Sequence, residues 1–363
     1  MSQFRPLLDR SGNPVNRSFT AGLKLALSST FLIVMVVLLV WFKLTQPRVL
    51  ILHSYDMGYE WVRDIDIGLK RVLDSKLRYR VHTHYMDVKN HPDRNSKRKA
   101  ALLARRAVDN WNSDLIIAMD DDAQEYVVKD FVDKKGVSVV FGGLNGGIEP
   151  YGYDKAKNAT GILERKPWLD LRIALLAMRS ASSGKPLGNR IMHIGDISGS
   201  VALDNMQMRA FDWAPLILVD SVLATTFDDW KAAIADAANR ADIILISNYR
   251  AIYRQKGKPE VVNPKEISKW TLANATVPLV EMSGFFVEEG GMFAIGSSGF
   301  EQGDVSAKMA IKVLDDDVPT QDMAVVMPQQ FIVSMRGSAM KRSDVVLPRL
   351  YESFARATNN YYD

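Results

Sequence analysis

The chain has 363 residues, of which 46 are Lys or Arg, 42 are Asp or Glu and 47% are hydrophobic. This length and mixed composition indicate a globular protein with one or two α/β cores and exclude a fibrous or disordered chain. The absence of cysteine excludes disulfides, a thiolate zinc site, a cysteine nucleophile and a lipid attached through cysteine.

The N-terminal region contains one long apolar stretch without charge, from Leu25 to Phe42. At about 1.5 Å rise per residue, a helix of this length just crosses a bilayer core of about 30 Å. The stretch predicts an uncleaved transmembrane anchor over 25–42, because it exceeds the apolar part of a usual signal peptide and no small-x-small cleavage site follows it. A cleaved signal peptide is the alternative.

Positive charge precedes this stretch, since residues 1–24 carry four basic side chains and one acid. The positive-inside rule therefore predicts a cytoplasmic tail over 1–24 and a periplasmic body, that is, a single-pass inner-membrane protein. The remaining chain carries 42 basic and 41 acidic residues. Because the body is nearly neutral, we expect no nucleic-acid partner.

From residue 48 onward, short β-branched runs alternate with amphipathic segments, which is typical of parallel sheets covered by helices. A first series of strands is predicted at 48–54, 79–87, 114–120 and 137–144. A second is predicted at 190–196, 216–223, 241–248, 277–282 and 293–298. The predicted fold class is α/β, with two doubly wound parallel-sheet lobes after one transmembrane helix. Lobe 1 is expected over 43–160, lobe 2 over 161–300, and a crossover back to lobe 1 with a C-terminal tail over 301–363.

The loop after the first strand combines hydroxyls, an acid and aromatic rings. Open parallel sheets bind ligands beyond the carboxyl ends of their strands, so two facing lobes are expected to enclose a common cleft. Ser54 and Tyr55 stand at such an end and predict contact with a small ligand. The alternative is a helix entry in which Trp61 packs into the core and Asp56 caps the helix.

Two further first-lobe strand ends offer polar groups. The run from Asp120 to Asp122 is placed to hold a cation or an amine, or to cap the next helix, and capping by at least one carboxylate is the favoured reading. A magnesium-dependent phosphotransfer site is disfavoured because the chain has no P-loop. Asn145 follows the fourth strand within a glycine-rich loop that a ligand can approach closely.

The second-lobe strand ends repeat this pattern with Ser198, Asn248 and Phe285. Each residue alone is ordinary, and their recurrence at strand ends is the signal. His82 and His84 share one strand face but lack supporting ligands, so no metal site is expected. The chain has no Ser-x-x-Lys pair or G-x-S-x-G elbow, so we expect neither a catalytic site nor a cofactor.

Several blocks together resemble a known family. The blocks are VLILHSYDMGYEW, YMDVKNHPD, DLIIAMDDDA, VVFGGLN, RIMHIGD and ADIILISN, which lie in this order along the chain. They are similar to the ABC-transporter substrate-binding-protein-like sensor domains, over roughly residues 48 to 340. This resemblance implies a type I periplasmic-binding fold and a ligand cleft between the lobes. The residues it places near the cleft are Ser54, Tyr55, Asp121, Asn145, Ser198, Asn248 and Phe285.

Members of that family often precede a histidine kinase or cyclase module, whereas this chain shows no such module. The leading hypothesis is therefore a membrane-anchored periplasmic solute-binding or sensory protein that closes on a small ligand and signals to a separate membrane partner, such as a sensor kinase, cyclase or permease. The alternatives are the capture subunit of an ABC importer and a ligand-free scaffold of an envelope complex. An enzyme that uses the aspartate run ranks lowest.

Overall fold

A computed structural model describes residues 17–74 and 78–363. The chain divides into two units, Met1–Pro47 and Arg48–Asp363. The first unit contains helix α1 (Arg17–Thr45), whose segment Ala21–Thr45 is long and apolar enough to cross a membrane. A signal sequence near the N-terminus can meet the same criteria of length and composition. Most of the predicted cytoplasmic tail, residues 1–16, lies outside the described residues.

The second unit begins with a five-stranded parallel sheet in the order β2-β1-β3-β4-β5. Its central strands are buried along nearly their whole length, because helices cover both faces of the sheet. Its strands are β1 (Arg48–His53), β2 (Arg80–Tyr85), β3 (Leu115–Met119), β4 (Ser138–Leu144) and β5 (Ala159–Leu163). Its helices are α2 (Glu60–Leu73), α3 (Arg94–Trp111) and α4 (Asp121–Tyr126).

A seven-stranded sheet follows, in the order β14-β12-β11-β10-β9-β7-β8. Its first five strands in the chain are parallel, and their order repeats that of the first sheet, with β9 in the position of β3. These strands are β7 (Arg190–Asp196), β8 (Ile217–Ala224), β9 (Ile243–Ile246), β10 (Leu279–Glu281) and β11 (Phe293–Ser297). The helices are α5 (Trp168–Ala177), α6 (Gly199–Ala210), α7 (Phe227–Arg240), α8 (Pro264–Asn274) and α9 (Phe285–Glu288). A short strand, β6 (Arg179–Ser180), lies outside this sheet.

Helix α10 (Gly299–Asp315) follows β11 but packs on the first sheet and on α2. Glycine allows the two helices to approach, because a Cβ at Gly303 would lie 2.0 Å from the carbonyl oxygen of Ile65. A Cβ at Gly68 would lie 2.2 Å from the carbonyl oxygen of Phe300. The first lobe is therefore the five-stranded sheet with α2, α3, α4 and α10, and the second lobe is the seven-stranded sheet with its helices.

The chain then returns to the second lobe, which corrects two predicted limits. Val326 pairs with β5 at the edge of the first sheet. The antiparallel strand β12 (Phe331–Arg336) then pairs with β11, and β14 (Tyr361–Tyr362) pairs with β12. Residues 331–363 are thus part of the second lobe rather than a tail, and the predicted limit at residue 160 cuts through β5. The remaining C-terminal elements are α11 (Gly337–Arg342), β13 (Val345–Val346), which pairs with β6, and α12 (Arg349–Ala357).

Candidate functional site

The carboxyl ends of the parallel strands in both sheets border a common cleft that contains a cavity of about 60 Å³. The first lobe lines it with Tyr55, Trp61 and Asp120, and the second lobe with Asp204, Ser247 and Phe285. An outer pocket of about 260 Å³ shares Tyr55 with this cavity. The strand ends of both lobes therefore converge on one cleft, which is where this class of sheet binds ligands.

Asp120 is the first residue after β3 and has an unusual backbone. Its φ of 68° and ψ of 164° lie in a region that only glycine adopts readily, at a cost of about 1–3 kcal/mol. Its side chain is 1% exposed, and Trp61 Nε1 donates to Oδ1 at 2.8 Å. The other oxygen, Oδ2, is buried and has no hydrogen-bond partner within residues 17–74 and 78–363.

Without a ligand, the ionised Asp120 carboxylate destabilises the folded state. Burial, together with the negative charge of Glu164, raises the pKa of Asp120 well above its ordinary value. Strained backbone and unsatisfied buried polar atoms persist where function requires them. A ligand that donates to Asp120 Oδ2 would therefore relieve the cost of burying this carboxylate.

Lys166 and Lys89 contribute positive charge to the cavity, but in different ways. Lys166 Nζ lies 2.8 Å from Glu164 Oε1, and Asn145 Nδ2 donates to Glu164 Oε2 at 3.1 Å. Lys89 is 6% exposed, and its ammonium lies 4.8 Å from the ring centre of Tyr55. Lys166 is thus neutralised, whereas Lys89 is held by an aromatic ring.

Asp204 extends from α6 into the same cavity and is buried. Burial raises its pKa to about 7, although the positive charge of Lys166 opposes this shift. Within the part of the chain that the structure describes, its carboxylate forms no hydrogen bond or ion pair. Asp204 and Asp120 are therefore two acceptors that the protein itself leaves open, one on each lobe.

Aromatic rings complete the cavity wall. The ring centres of Tyr59 and Phe285 lie 5.9 Å apart across the two lobes, and those of Tyr55 and Tyr59 lie 5.5 Å apart. The guanidinium of Arg250 lies 4.9 Å from the ring centre of Tyr59 and 4.8 Å from that of Phe285. The cavity thus combines apolar surface with a few polar groups, as small-molecule sites do.

Polar contacts also join the lobes around the cavity. Asn248 Nδ2 donates to the hydroxyl of Tyr59 at 3.2 Å, and Arg250 forms an ion pair with Glu60 at 2.7 Å. At the rim, Arg63 forms an ion pair with Glu288, also at 2.7 Å. These contacts hold the two lobes together on either side of the cavity.

The sequence-predicted site residues fall into three groups. Tyr55, Asn145, Asn248 and Phe285 line the cavity. Asp121 and Ser198 line the outer pocket. Ser54 lines neither.

Ser54 and Asp121 serve the first-lobe backbone instead. The Ser54 hydroxyl donates to the carbonyl oxygen of Met119 at 2.8 Å and accepts from the amide of Ala123 at 2.8 Å. The Asp121 carboxylate accepts from the backbone and side-chain amides of Asn145, at 3.2 and 3.0 Å. These hydrogen bonds tie the strand-end loops together, and they occupy polar groups that the sequence assigned to a ligand.

Other polar residues of the cavity were not selected from the sequence, among them Lys89, Asp120, Lys166, Asp204 and Ser247. Only Asp120 had a visible signal, since it belongs to the aspartate run, and the positive φ that distinguishes it from its neighbours is not readable from residue types. Among the described residues, no group of three or more His, Asp or Glu is arranged to hold a metal ion.

Comparison with known proteins finds no matching family model and no matching curated protein. Solved structures do match. A conserved domain protein from Vibrio cholerae is 14% identical, with 88% of this chain and 100% of that chain covered and a TM-score of 0.63. An ABC domain from Streptococcus pneumonia in complex with L-Trp is 12% identical, with 85% and 98% covered and a TM-score of 0.64.

A carbohydrate transporter solute binding protein from Agrobacterium radiobacter, in complex with D-arabinose, is 13% identical, with 85% and 99% covered and a TM-score of 0.53. The body has the type I periplasmic-binding fold. The predicted fold class, two α/β lobes after one N-terminal apolar helix, is thereby confirmed. At these identities the likeness concerns the fold alone, and two proteins of this fold hold ligands as different as an amino acid and a sugar.

Proposed function

We propose that this chain is a membrane-anchored solute-binding protein whose two lobes close on a small solute in the cavity between them. The observation that carries the proposal is Asp120, a buried, strained carboxylate that lines the cavity with one oxygen unpaired within the described residues. Without a ligand, the backbone strain and the lost solvation of Asp120 destabilise the folded protein and no interaction compensates for them. Catalysis and cofactors form no part of the proposal.

The anchor in this proposal is α1, and the body lies in the periplasm. The support is the apolar segment Ala21–Thr45 together with the excess of basic residues before it. A body tethered in this way stays at the membrane surface, where membrane proteins can bind its solute-bound conformation.

The proposed output is recognition of the closed form by a separate membrane partner. In a hinge mechanism, the solute stabilises the arrangement in which both lobes contact it. Here the pairs Arg250–Glu60 and Arg63–Glu288 form only when the lobes approach each other. The partner is a signalling protein in the leading version, and a permease in the importer version, which requires the same cleft.

A thermal-shift screen of the full chain in lipid nanodiscs tests this function. The panel contains amino acids, nucleosides, sugars, polyamines and organic acids. A solute that binds only the folded state at 100 times its Kd adds about 2.7 kcal/mol to the free energy of unfolding, so a saturable rise in melting temperature is expected. The absence of a shift across the panel would overturn the proposal in favour of a ligand-free scaffold.

A cavity-filling variant makes the screen specific. Ser200 lines both pockets, so Ser200→Trp is expected to abolish the shift by occupying the space. Ser183→Trp, on an exposed turn of the second lobe, is the matched control and is expected to keep it. A shift that survives Ser200→Trp would mean that the solute binds elsewhere.

A further inference from the structure

A chain of hydrogen bonds lies behind the second-lobe wall of the cavity. Ser247 Oγ is 2.9 Å from His193 Nε2, and His193 Nδ1 is 2.6 Å from Ser221 Oγ. The Ser221 hydroxyl in turn donates to Asn205 Oδ1. His193 is fully buried, and Ser221 and Ser247 are at least nine-tenths buried. Ser247 is the member of this chain that lines the cavity.

The direction of every proton in this chain is fixed from its far end. Arg209 Nε donates to Asn205 Oδ1 at 3.1 Å, which identifies that atom as the amide oxygen. Ser221 therefore uses its proton on Asn205 and accepts from His193 Nδ1. Burial, together with the positive charge of Arg209, lowers the pKa of His193 to about 3, so the ring is neutral.

A neutral ring that carries its proton on Nδ1 has a lone pair on Nε2. Ser247 must donate its only proton to that lone pair. Because Ser247 lines the cavity, its hydroxyl oxygen can meet a solute there only as an acceptor. A hydroxyl that would otherwise serve as donor or acceptor is thus restricted to accepting.

Ser247 occupies the same topological position as Asp120. Ser247 is the first residue after β9 and Asp120 the first after β3, and these strands hold equivalent places in the two sheets. Asp120 Oδ2 is an open acceptor on the first lobe, and Asp204 adds a carboxylate from the second. Acceptors therefore meet the cavity from both lobes.

The charges around the cavity favour a cation. Arg250, Arg63 and Lys166 are paired with carboxylates. The other carboxylates of the cavity are Asp64, which lies 3.6 Å from Arg63, and Asp120 and Asp204. Against them stands one further ammonium, that of Lys89. Burial raises the pKa of Asp120 and Asp204, so their ionised forms are unfavourable on their own. A bound monocation would stabilise these ionised forms, whereas an anionic solute would destabilise them further.

We propose that the solute is a small organic molecule with a protonated amine, which donates to Asp120 and Ser247 while Asp204 supplies a second counter-charge. An ammonium has three N–H donors and no acceptor, which suits a wall of acceptors. The rings of Tyr55, Tyr59 and Phe285 receive the rest of the molecule and attract the cation through their faces. This inference names the substrate class of the proposed solute-binding function and rests on that function.

Matched probe pairs test the inference on the full chain in nanodiscs by titration calorimetry. Each pair differs in its amine: putrescine with 1,4-butanediol, 2-phenylethylamine with 2-phenylethanol, and L-tryptophan with indole-3-propionate. At least one amine is expected to bind ten times more tightly than its partner. Asp120→Asn and Asp204→Asn are each expected to weaken that amine at least tenfold, and Asp236→Asn, on the exposed face of α7, is expected to leave it unchanged.

Ser221→Ala tests the direction of the protons without touching the cavity. With no acceptor at Nδ1, the His193 proton moves to Nε2, and the Ser247 hydroxyl turns towards the cavity as a donor. Amine affinity is then expected to fall severalfold, while that of the neutral partner is maintained or rises. A merely structural effect would weaken both probes alike.

The possible failures are distinguishable. A neutral or anionic probe that binds as tightly as its amine, with unchanged affinity in Asp120→Asn and Asp204→Asn, overturns the inference and leaves the solute-binding function intact. Binding by none of these probes or of the wider panel overturns both. If either aspartate variant loses its native circular dichroism, the probe pairs and Ser221→Ala decide the question.

Discussion

The two lobes place different chemistry at equivalent positions. The first lobe ends its central strand with Asp120, a charge held in strained backbone and supported by one indole. The second ends it with Ser247, a neutral hydroxyl supported by a buried chain through His193 and Ser221. One fold thus produces an open acceptor in two ways, through unpaired charge or through a restricted proton.

The lobes also differ in how firmly their cavity walls are supported. In the first lobe, α2 and α10 approach until their backbones touch, at Gly68 and Gly303. In the second lobe, Gly199 at the start of α6 has open space around the position of a Cβ. We expect the first lobe to be the rigid wall and α6 to be the more adaptable one.

The largest expected effect tests this difference in packing between the two lobes. Gly303→Ala is expected to lower the free energy of unfolding by about 3 kcal/mol or more, because backbone atoms of α2 cannot move away as a side chain can. Gly199→Ala, the matched control in the second lobe, is expected to change it by less than about 1 kcal/mol. Urea denaturation of both variants measures the difference, and equal losses would contradict the assignment of the first lobe as the rigid wall.

The next prediction compares substitutions of the two acceptors, Asp120 and Ser247, which are expected to change the free energy of unfolding in opposite directions. Asp120→Asn removes a desolvated charge and keeps an oxygen for Trp61, so it is expected to stabilise the protein by about 1 kcal/mol. Ser247→Ala leaves His193 Nε2 without its partner and is expected to destabilise it by about 1–3 kcal/mol. Thermal unfolding at pH 7.5 checks both, and a loss of stability in Asp120→Asn would contradict the unpaired-charge account.

The pH dependence extends the comparison to Asp204. Its folded-state pKa of about 7 exceeds the ordinary value of 3.8, so folding binds a proton between these values. Its contribution to stability therefore falls as the pH rises towards 7 and levels off above it. The groups that face it are Lys166, Glu164, Lys89 and Asp121.

The test is the difference between wild type and Asp204→Asn. Between pH 6 and pH 8 the wild type is expected to lose about 1 kcal/mol relative to the variant. The subtraction removes the contribution of His193, whose lowered pKa acts in the opposite direction below pH 6.5. If the free energies of unfolding of wild type and variant differ by the same amount at every pH, the pKa of Asp204 is not raised to about 7.

The smallest expected effect concerns the ion pairs between the lobes. The side chains of Arg250 and Glu60 are 14% and 19% exposed, whereas those of Arg63 and Glu288 are 49% and 30% exposed. In double-mutant cycles with alanine, the exposed pair is expected to couple by less than about 0.5 kcal/mol. The buried pair is expected to couple by about 1 kcal/mol. The reverse order would mean that the rim, not the interior, holds the lobes together.

The fold could be predicted because apolar runs in the sequence indicate which strands are buried. Runs such as LIIAM in β3 and IILI in β9 are buried on both faces, and their alternation with helical segments predicts parallel sheets. The return of residues 331–363 to the second sheet was missed, because the sequence shows neither the antiparallel pairing of β12 with β11 nor the two-residue strand β14. Pairing partners at such edges depend on tertiary contacts.

The candidate site could be predicted only in part. Strand-end reasoning found Tyr55 and Phe285 at the cavity, but it chose Asp121 over Asp120. The two aspartates are adjacent and identical in type, and only the backbone conformation at residue 120 and the amides of the Asn145 loop at residue 121 separate them. Asp204 is a mid-helix residue with no local signal. Its role depends on how α6 faces the other lobe.

The distance between the lobes tests the central claim most directly. The chain contains no cysteine, so Lys129→Cys in the first lobe and Met206→Cys in the second introduce two exposed positions for spin labels. Pulsed dipolar spectroscopy of the full chain in nanodiscs would follow the inter-label distance as the solute that gives the strongest thermal shift is added. We expect a solute-dependent transfer of population to a shorter distance that saturates with the thermal shift. An unchanged distance distribution at saturating solute would contradict a protein that works by closing on its ligand.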